Sequence, residues 1–434
     1  MKRKVIASLI AAAVAVALAG CTAPNANPST QGPTGDTSSA QSPNKTPVTI
    51  SILQAYQPDQ NAYLEQAITQ FEGEYPWITV VNDSSPNASD YYTVLNTKLA
   101  SNTPPDLFFG WPGSSLEPYL KAGYALDLSD QPWVKDVLAS SLKEVTYDGK
   151  IMSFPTQLSF MAFGYNKTVL DQLGGTLPQT YDDMTALFDK AKAAGILPVA
   201  SGADFYYLFS IGAVTDIYAK NPTFDQDVND GKITLQDSPD WVTLLQRIYV
   251  DWVDKGYVPK DALGIDRSTT MLTQFVQNKA LFFPMGSWDL SNILSVAGSD
   301  FQMGLIPYPG AVADQMGVLV ATNDSIAVNA KSPNTEAALT FLNWFASKDV
   351  NKGFCEAGQS LSTLQDVAPN VDPIIQSFQP YVAKYPGHPF VNSGWPAQLM
   401  NDFGDLTQAI ILKSSTPEQA ASQMQDEWMA NLDG

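Results

Sequence analysis

Val48-Thr49-Ile50-Ser51-Ile52-Leu53 alternates apolar and polar residues, and the segments after it set the fold. An alternation of period two marks a strand buried on one face. Pro58-Asp59 then opens a stretch with Leu64, Ile68, Phe71 and Tyr75 at helical spacing, stopped at Pro76. Trp77 to Val81 reads as a second strand and Tyr91 to Ala100 as a second helix. Asp106-Leu107-Phe108-Phe109 reads as a third strand, set between Pro104-Pro105 and Gly110. Strands and helices in strict alternation predict a mostly parallel sheet flanked by helices, an α/β fold.

The pattern restarts downstream. Ala162 to Tyr165 has strand character, and Thr180 is placed to cap a helix carrying Met184, Leu187, Phe188 and Ala191 that stops at Gly195. Ile196 to Ala200 is the next strand, and further helices are expected over Pro239 to Lys255, Thr269 to Gln277 and Pro333 to Ala346. No short internal repeat is present. The expectation is two α/β lobes of similar size.

Working back toward the start, residues 1–20 read as an address. Lys2-Arg3-Lys4 is a basic region, and Val5 to Ala19 is small and apolar but short of the ~20 residues that a spanning helix needs. Leu18-Ala19-Gly20-Cys21 resembles the lipobox of bacterial lipoproteins, which implies cleavage before Cys21 and acylation of its thiol. Thr22 to Thr46 holds Pro24, Pro28, Pro33 and Pro43 among small polar residues, without aromatics or Val, Ile or Leu. Such a stretch buries too little apolar surface to offset its chain entropy. Residues 21–46 are therefore expected to be a flexible tether reaching roughly 25–30 Å.

Composition narrows the partners. The 434 residues carry 24 Lys+Arg against 44 Asp+Glu, a net charge of −20. A surface this acidic repels phosphate backbones, so no nucleic-acid partner is expected. One histidine, His388, and two cysteines, Cys21 and Cys355, argue against a zinc cage, a disulfide framework or a His-based triad. Neither a metal nor a cofactor is expected. Asp225-Gln226-Asp227-Val228-Asn229-Asp230-Gly231 opens like a calcium loop, but Asp230 and Gln236 stand where an EF-hand has Gly and Glu. With Cys21 acylated, Cys355 has no partner within the chain.

The lipobox, the tether and the opening strands with Pro104-Pro105-Asp106-Leu107-Phe108-Phe109-Gly110-Trp111 together resemble the family 1 extracellular solute-binding proteins. Further resemblance lies in Asp148-Gly149-Lys150-Ile151 to Gly164-Tyr165-Asn166-Lys167, in Asn278-Lys279-Ala280 to Gly286-Ser287-Trp288, and in Ile326 to Asn334 with its following helix. The likeness spans nearly all of the chain after Thr46 and is weakest after Phe354. It implies a periplasmic-binding-protein-like fold of two lobes joined by hinge crossovers, with solute held in the cleft between them. By that analogy the crossovers fall near Ser153 to Gln157, Ile306 to Pro309 and Phe354 to Ser360. The first lobe is then 47–155 with 309–355, and the second 156–308 with 356–434. The resemblance also implies a monomeric, lipid-anchored carbohydrate receptor on the extracellular face of the cytoplasmic membrane, serving the permease subunits of an ABC importer.

A sugar ring offers an apolar face to an aromatic platform and a rim of hydroxyls to carboxylates and amides. Trp111, Trp288 and Trp395 sit in Gly/Pro turns, two of them directly after apolar runs, where strand-end loops line a ligand crevice, and are the platform candidates. Gln54, Tyr56 and Gln57 after the first strand, and Asn82 and Asp83 after the second, are the polar candidates on one side. Asp204, Tyr206 and Asp289 are those on the other. Beyond the leader the chain has only Arg247 and Arg267. Acidic sugars are commonly gripped by guanidinium forks, so a neutral oligosaccharide is expected. The competing reading is a lipid-anchored glycoside hydrolase, because 44 acidic residues always permit some carboxylate pair. A third is a peptide or metal binder of similar shape.

Overall fold

The computed structural model describes residues 46–434 apart from 86–89, 102, 203–205, 260, 431, 433 and 434. Cys21 and the expected signal and tether lie outside the described residues. The strands are β1 (Val48–Gln54), β2 (Ile78–Ser84), β3 (Leu107–Gly110), β4 (Thr146–Tyr147), β5 (Lys150–Ile151), β6 (Phe154–Asn166), β7 (Leu197–Val199), β8 (Ala280–Gly286), β9 (Met303–Ile306), β10 (Val318–Val328) and β11 (Gly387–His388). Helices lie between them, and among the described residues none is long and apolar enough to cross a membrane.

The opening run folds as its pattern dictates. β1 pairs parallel to both β2 and β3, with the helices Pro58–Glu74 and Tyr91–Ala100 as the connections. Thr180 caps its helix in a reciprocal box with Asp183, satisfying donors at the helix start. Parallel pairing recurs between β7 and β8. Around β6, however, the sheet is mixed, because β8, β9 and β10 all run antiparallel to it.

β6 and β10 organise the molecule. The sheet order is β2-β1-β3-β10-β6-β8-β7, so these two long strands are shared by both ends. At one end Ile50, Ile52, Phe71 and Phe108 pack with Phe154 of β6, Ile326 to Val328 of β10, and Phe341, Phe354 and Leu364. This is the first lobe. At the other end β6 is covered on both faces with a period of two: Met161 and Phe163 face one cluster, with Phe188, Trp241 and Trp252. Phe160 and Ala162 face another, with Phe275, Phe283 and Phe378. Val318 and Leu319 of β10 belong to this second lobe. Between the lobes both strands turn polar while remaining buried: Thr156, Gln157 and Ser159 on β6, Thr322, Asp324 and Ser325 on β10. The register slips on either side of Asp324, which marks a bulge.

Candidate ligand-binding cleft

A cavity of about 350 Å3 opens at this polar waist, lined from both lobes. The volume lies within the usual range for small-molecule sites. From the first lobe it takes Tyr56, Gln57 and Gln60, which follow β1, and Phe109, Trp111, Ser114 and Ser115 around the end of β3. From the second it takes Met161, Tyr207, Trp288, Phe390 and Ser393, and Thr322, Asn323 and Asp324 come from the bulge of β10.

Trp111 is wedged by rings of its own lobe. Phe109 meets it edge-on at 4.8 Å and Tyr92 at 5.4 Å, and its backbone N–H donates to the Tyr92 hydroxyl at 3.2 Å. Trp288 follows the end of β8, where a Cβ on Gly286 would stand 2.2 Å from the indole, so only glycine leaves room for that ring. The Trp288 Nε1–H donates to the Tyr207 hydroxyl at 3.0 Å, and Phe390 meets the indole edge-on at 5.6 Å. Behind them the Arg267 guanidinium lies 4.0 Å from the centroid of the Tyr207 ring and pairs with Asp289 at 3.1 Å. Arg267 is 5% exposed, so its charge supports the platform from behind and is kept from the cavity.

The polar wall is a relay across the waist. Gln60 donates to Gln157 Oε1 at 2.8 Å, and Gln157 donates to Asp324 Oδ2 at 2.8 Å. Asn323 donates to Asp324 Oδ2 at 3.3 Å, and the Thr156 hydroxyl donates to Asp324 Oδ1. Burial pushes the Asp324 carboxyl up to about 7 against these donors, which favour the charged form. The Tyr56 hydroxyl lies beside Thr156 and Asp324 and, among the described residues, has no hydrogen bond aligned to it; burial raises it well above the phenol range.

Of the residues expected at the site, Tyr56, Gln57, Trp111 and Trp288 are brought together around one cavity. Trp395 is not. It is 1% exposed, donates to the Tyr218 hydroxyl at 3.1 Å and packs among Phe209, Trp241 and Trp428, so it belongs to the second lobe's core. Gln54 is fully buried and fixes the turn after β1: it donates to Asn61 and Asn82 and accepts the Tyr56 N–H at 2.6 Å. Asn82 supports that turn through Asn61 and Glu65, and Asp83 pairs with Lys98 at 2.9 Å. Asp289 serves Arg267 and the Gly286 N–H. Tyr206 begins the helix Tyr206–Ala213, and Asp204 lies outside the described residues. His388 stacks on Tyr218 at 3.9 Å, and burial lowers its pKa.

Sequence reasoning missed Tyr207, Phe390 and Asp324. The signal for Asp324 was the polar run Thr322-Asn323-Asp324-Ser325 between the apolar stretches Val318 to Ala321 and Ile326 to Val328. For Phe390 it was an aromatic beside Pro389 in a Gly/Pro turn.

The fold has known counterparts. A solved chitin oligosaccharide binding protein superposes with a TM-score of 0.78 at 21% identity, over 89% of this chain and 100% of that one. The multiple sugar-binding protein of Streptococcus mutans is 25% identical over 302 residues, covering 67% of this chain and 69% of its own. The diacetylchitobiose binding protein DasA of Streptomyces coelicolor is 23% identical, over 78% of this chain and 79% of its own. Residues 66–386, well over half the chain, match the pattern shared by one bacterial family. By that match, and by two lobes sharing one cleft, the chain belongs to the bacterial extracellular solute-binding proteins.

Proposed function

We propose that the protein captures a neutral oligosaccharide between its lobes and presents the closed complex to the permease of an ABC importer. The observation that carries this reading is the pairing of Trp111 and Trp288, indoles from opposite lobes in the wall of one cavity that also holds further aromatic and apolar side chains beside the amides, hydroxyls and carboxyl of Gln57, Gln60, Ser114, Ser115, Thr322, Asn323 and Asp324. A ligand touching both lobes gains affinity only in the closed form, which is what drives closure. Relatives named for multiple sugars and for diacetylchitobiose support the substrate class. Neutrality is supported by the arginines: Arg267 is held by Asp289, and Arg247 by Asp216 and Tyr308. Among the described residues, no Lys or Arg lines the cavity, and Asp324 is its only carboxylate.

The anchor at Cys21, the tether of 21–46, the monomeric state and the extracellular membrane face belong to the same reading. So do the lobe boundaries. In this reading the first crossover lies near Ser153 to Gln157, as expected. The packing of Val318 and Leu319 with one set of clusters, and of Leu364 and Val367 with the other, supports placing the remaining two near 322–325 and after 367 in preference to the expected 306–309 and 354–360.

Calorimetry with neutral di- to tetrasaccharides and their uronate counterparts tests the proposal. Binding of the neutral sugars with little salt dependence, together with a smaller radius of gyration on saturation, is expected. Absence of binding to every neutral glycan, or tighter salt-sensitive binding of uronates, would sink it.

A further inference from the structure

The loop after β3 crosses the cleft and touches the second lobe. The Ser114 N–H donates to the Ser393 carbonyl at 3.3 Å, long for such a bond. Gly113 makes this approach possible. Its φ is +93°, a backbone region that L side chains rarely adopt, and a Cβ there would stand 2.4 Å from the Ser393 oxygen. Beyond this strap lies a second cavity of about 180 Å3, and Pro112, Ser114 and Ser393 are walls of both.

The outer cavity has its own chemistry. Leu116, Leu120 and Val145 give it an apolar side; Glu144, Thr146 and Tyr147 give it polar groups and a ring. Glu144 Oε2 accepts the Thr322 N–H at 2.9 Å, which holds the carboxyl at the cavity wall. Burial raises this carboxyl to about 7, so near neutral pH it both donates to and accepts from hydroxyls.

We propose that the two cavities are one oligosaccharide groove divided by the Gly113–Ser393 strap, the outer compartment being a subsite for the third and later sugar units, with Glu144 and Tyr147 as its contacts. This rests on the sugar-binding reading above. The inner cavity takes the first units between Trp111 and Trp288, and a longer chain displaces the weak strap to reach Glu144.

Calorimetry on the full-length protein tests it, with homologous di-, tri- and tetrasaccharides of whichever neutral series binds. Wild type should bind the tetrasaccharide more tightly than the disaccharide, by about five-fold if the subsite adds one hydrogen bond and about thirty-fold if it adds two. Glu144→Gln should lose part of that increment. Thr146→Trp, at an exposed wall position, should block the compartment and bring the tetrasaccharide down to the disaccharide's affinity, with disaccharide binding held within about two-fold. Equal binding of short and long chains by wild type would overturn the subsite while leaving the sugar-binding reading intact, as would variants that weaken all lengths alike. Failure of every sugar to bind would overturn both.

Discussion

The indole N–H of Trp288 donates to the hydroxyl of Tyr207 at 3.0 Å, and the reverse side of that arrangement is closed by Arg267 at 4.0 Å from the phenol ring. An aromatic platform on a loop loses entropy when it binds; one already pinned loses less. Trp288→Ala should therefore weaken glycan affinity by at least ~1 kcal/mol, with the melting temperature of the free protein nearly unchanged. Tyr207→Phe keeps the ring and removes one bond, so a loss of about 0.5–1.5 kcal/mol is expected. Calorimetry beside thermal melts separates the cases. A large fall in melting temperature for Trp288→Ala would make it a core residue instead.

Trp395 gives the opposite expectation. Its ring lies among Trp241, Phe403 and Trp428, so Trp395→Ala leaves a void where several aromatics meet. A loss of roughly 3–5 kcal/mol in unfolding free energy is expected, read from chemical denaturation. Glycan affinity of the folded fraction should stay close to wild type. Lost affinity with full stability would return Trp395 to the cleft.

Acidity should act on stability in a stated direction. Burial raises Asp324, Glu144 and Asp225 to about 7, above their values in an unfolded chain. A raised group contributes its stability fully below the unfolded pKa, near 4, and loses it as pH climbs through about 7. The melting temperature should thus decline from pH 5 to pH 8, and Asp324→Asn should flatten part of that decline. Surface carboxylates held low by their partners, such as Asp183 and Asp314, work the other way and are lost only in stronger acid. A melting temperature that climbs steadily from pH 5 to 8 would contradict this.

Cys355 is fully buried, its sulfur near the carbonyls of Thr156 and Leu361, and burial pushes the thiol far above the ordinary range. The thiolate is the reactive species, so maleimide labelling of the folded protein should leave the Cys355 peptide unmodified, with full labelling in denaturant. Mass mapping reads both. Rapid labelling in the native state would mean that the packing of the helix Lys348–Ala357 against β6 opens readily.

The first three strands were legible because β1 is half-buried and Pro and Gly mark the edges of β3. Trp111 and Trp288 were legible because an aromatic in a Gly/Pro turn has few packing reasons to be there. Trp395 had the same local appearance, and only the packing of distant helices tells the two cases apart. β6 was read only over Ala162 to Tyr165, and β10 not at all. Each passes from one lobe through a polar waist into the other, so no single burial period runs along it. Asp324 escaped for the same reason: its role comes from Thr156 and Gln157, 168 and 167 residues away in the chain.

The antiparallel pairing of β3 with β10 has a consequence for how the chain comes into being. Gly110 and Ser325 are register partners 215 residues apart, and Phe354 and Leu364 complete the same cluster. A growing polypeptide released at any point before β10 leaves one edge of β3 unpaired and the cluster around β1 and β3 without Ile326 to Val328, Phe341 and Phe354. Most of the second lobe is made in between and can begin to collapse on its own contacts. The first lobe, though made first, is finished last, after a long loop has closed. Truncation products ending between 155 and 318 should therefore be the ones that degrade or aggregate, and late assembly gives the chain a prolonged period in which it remains open to threading, cleavage or chaperone capture.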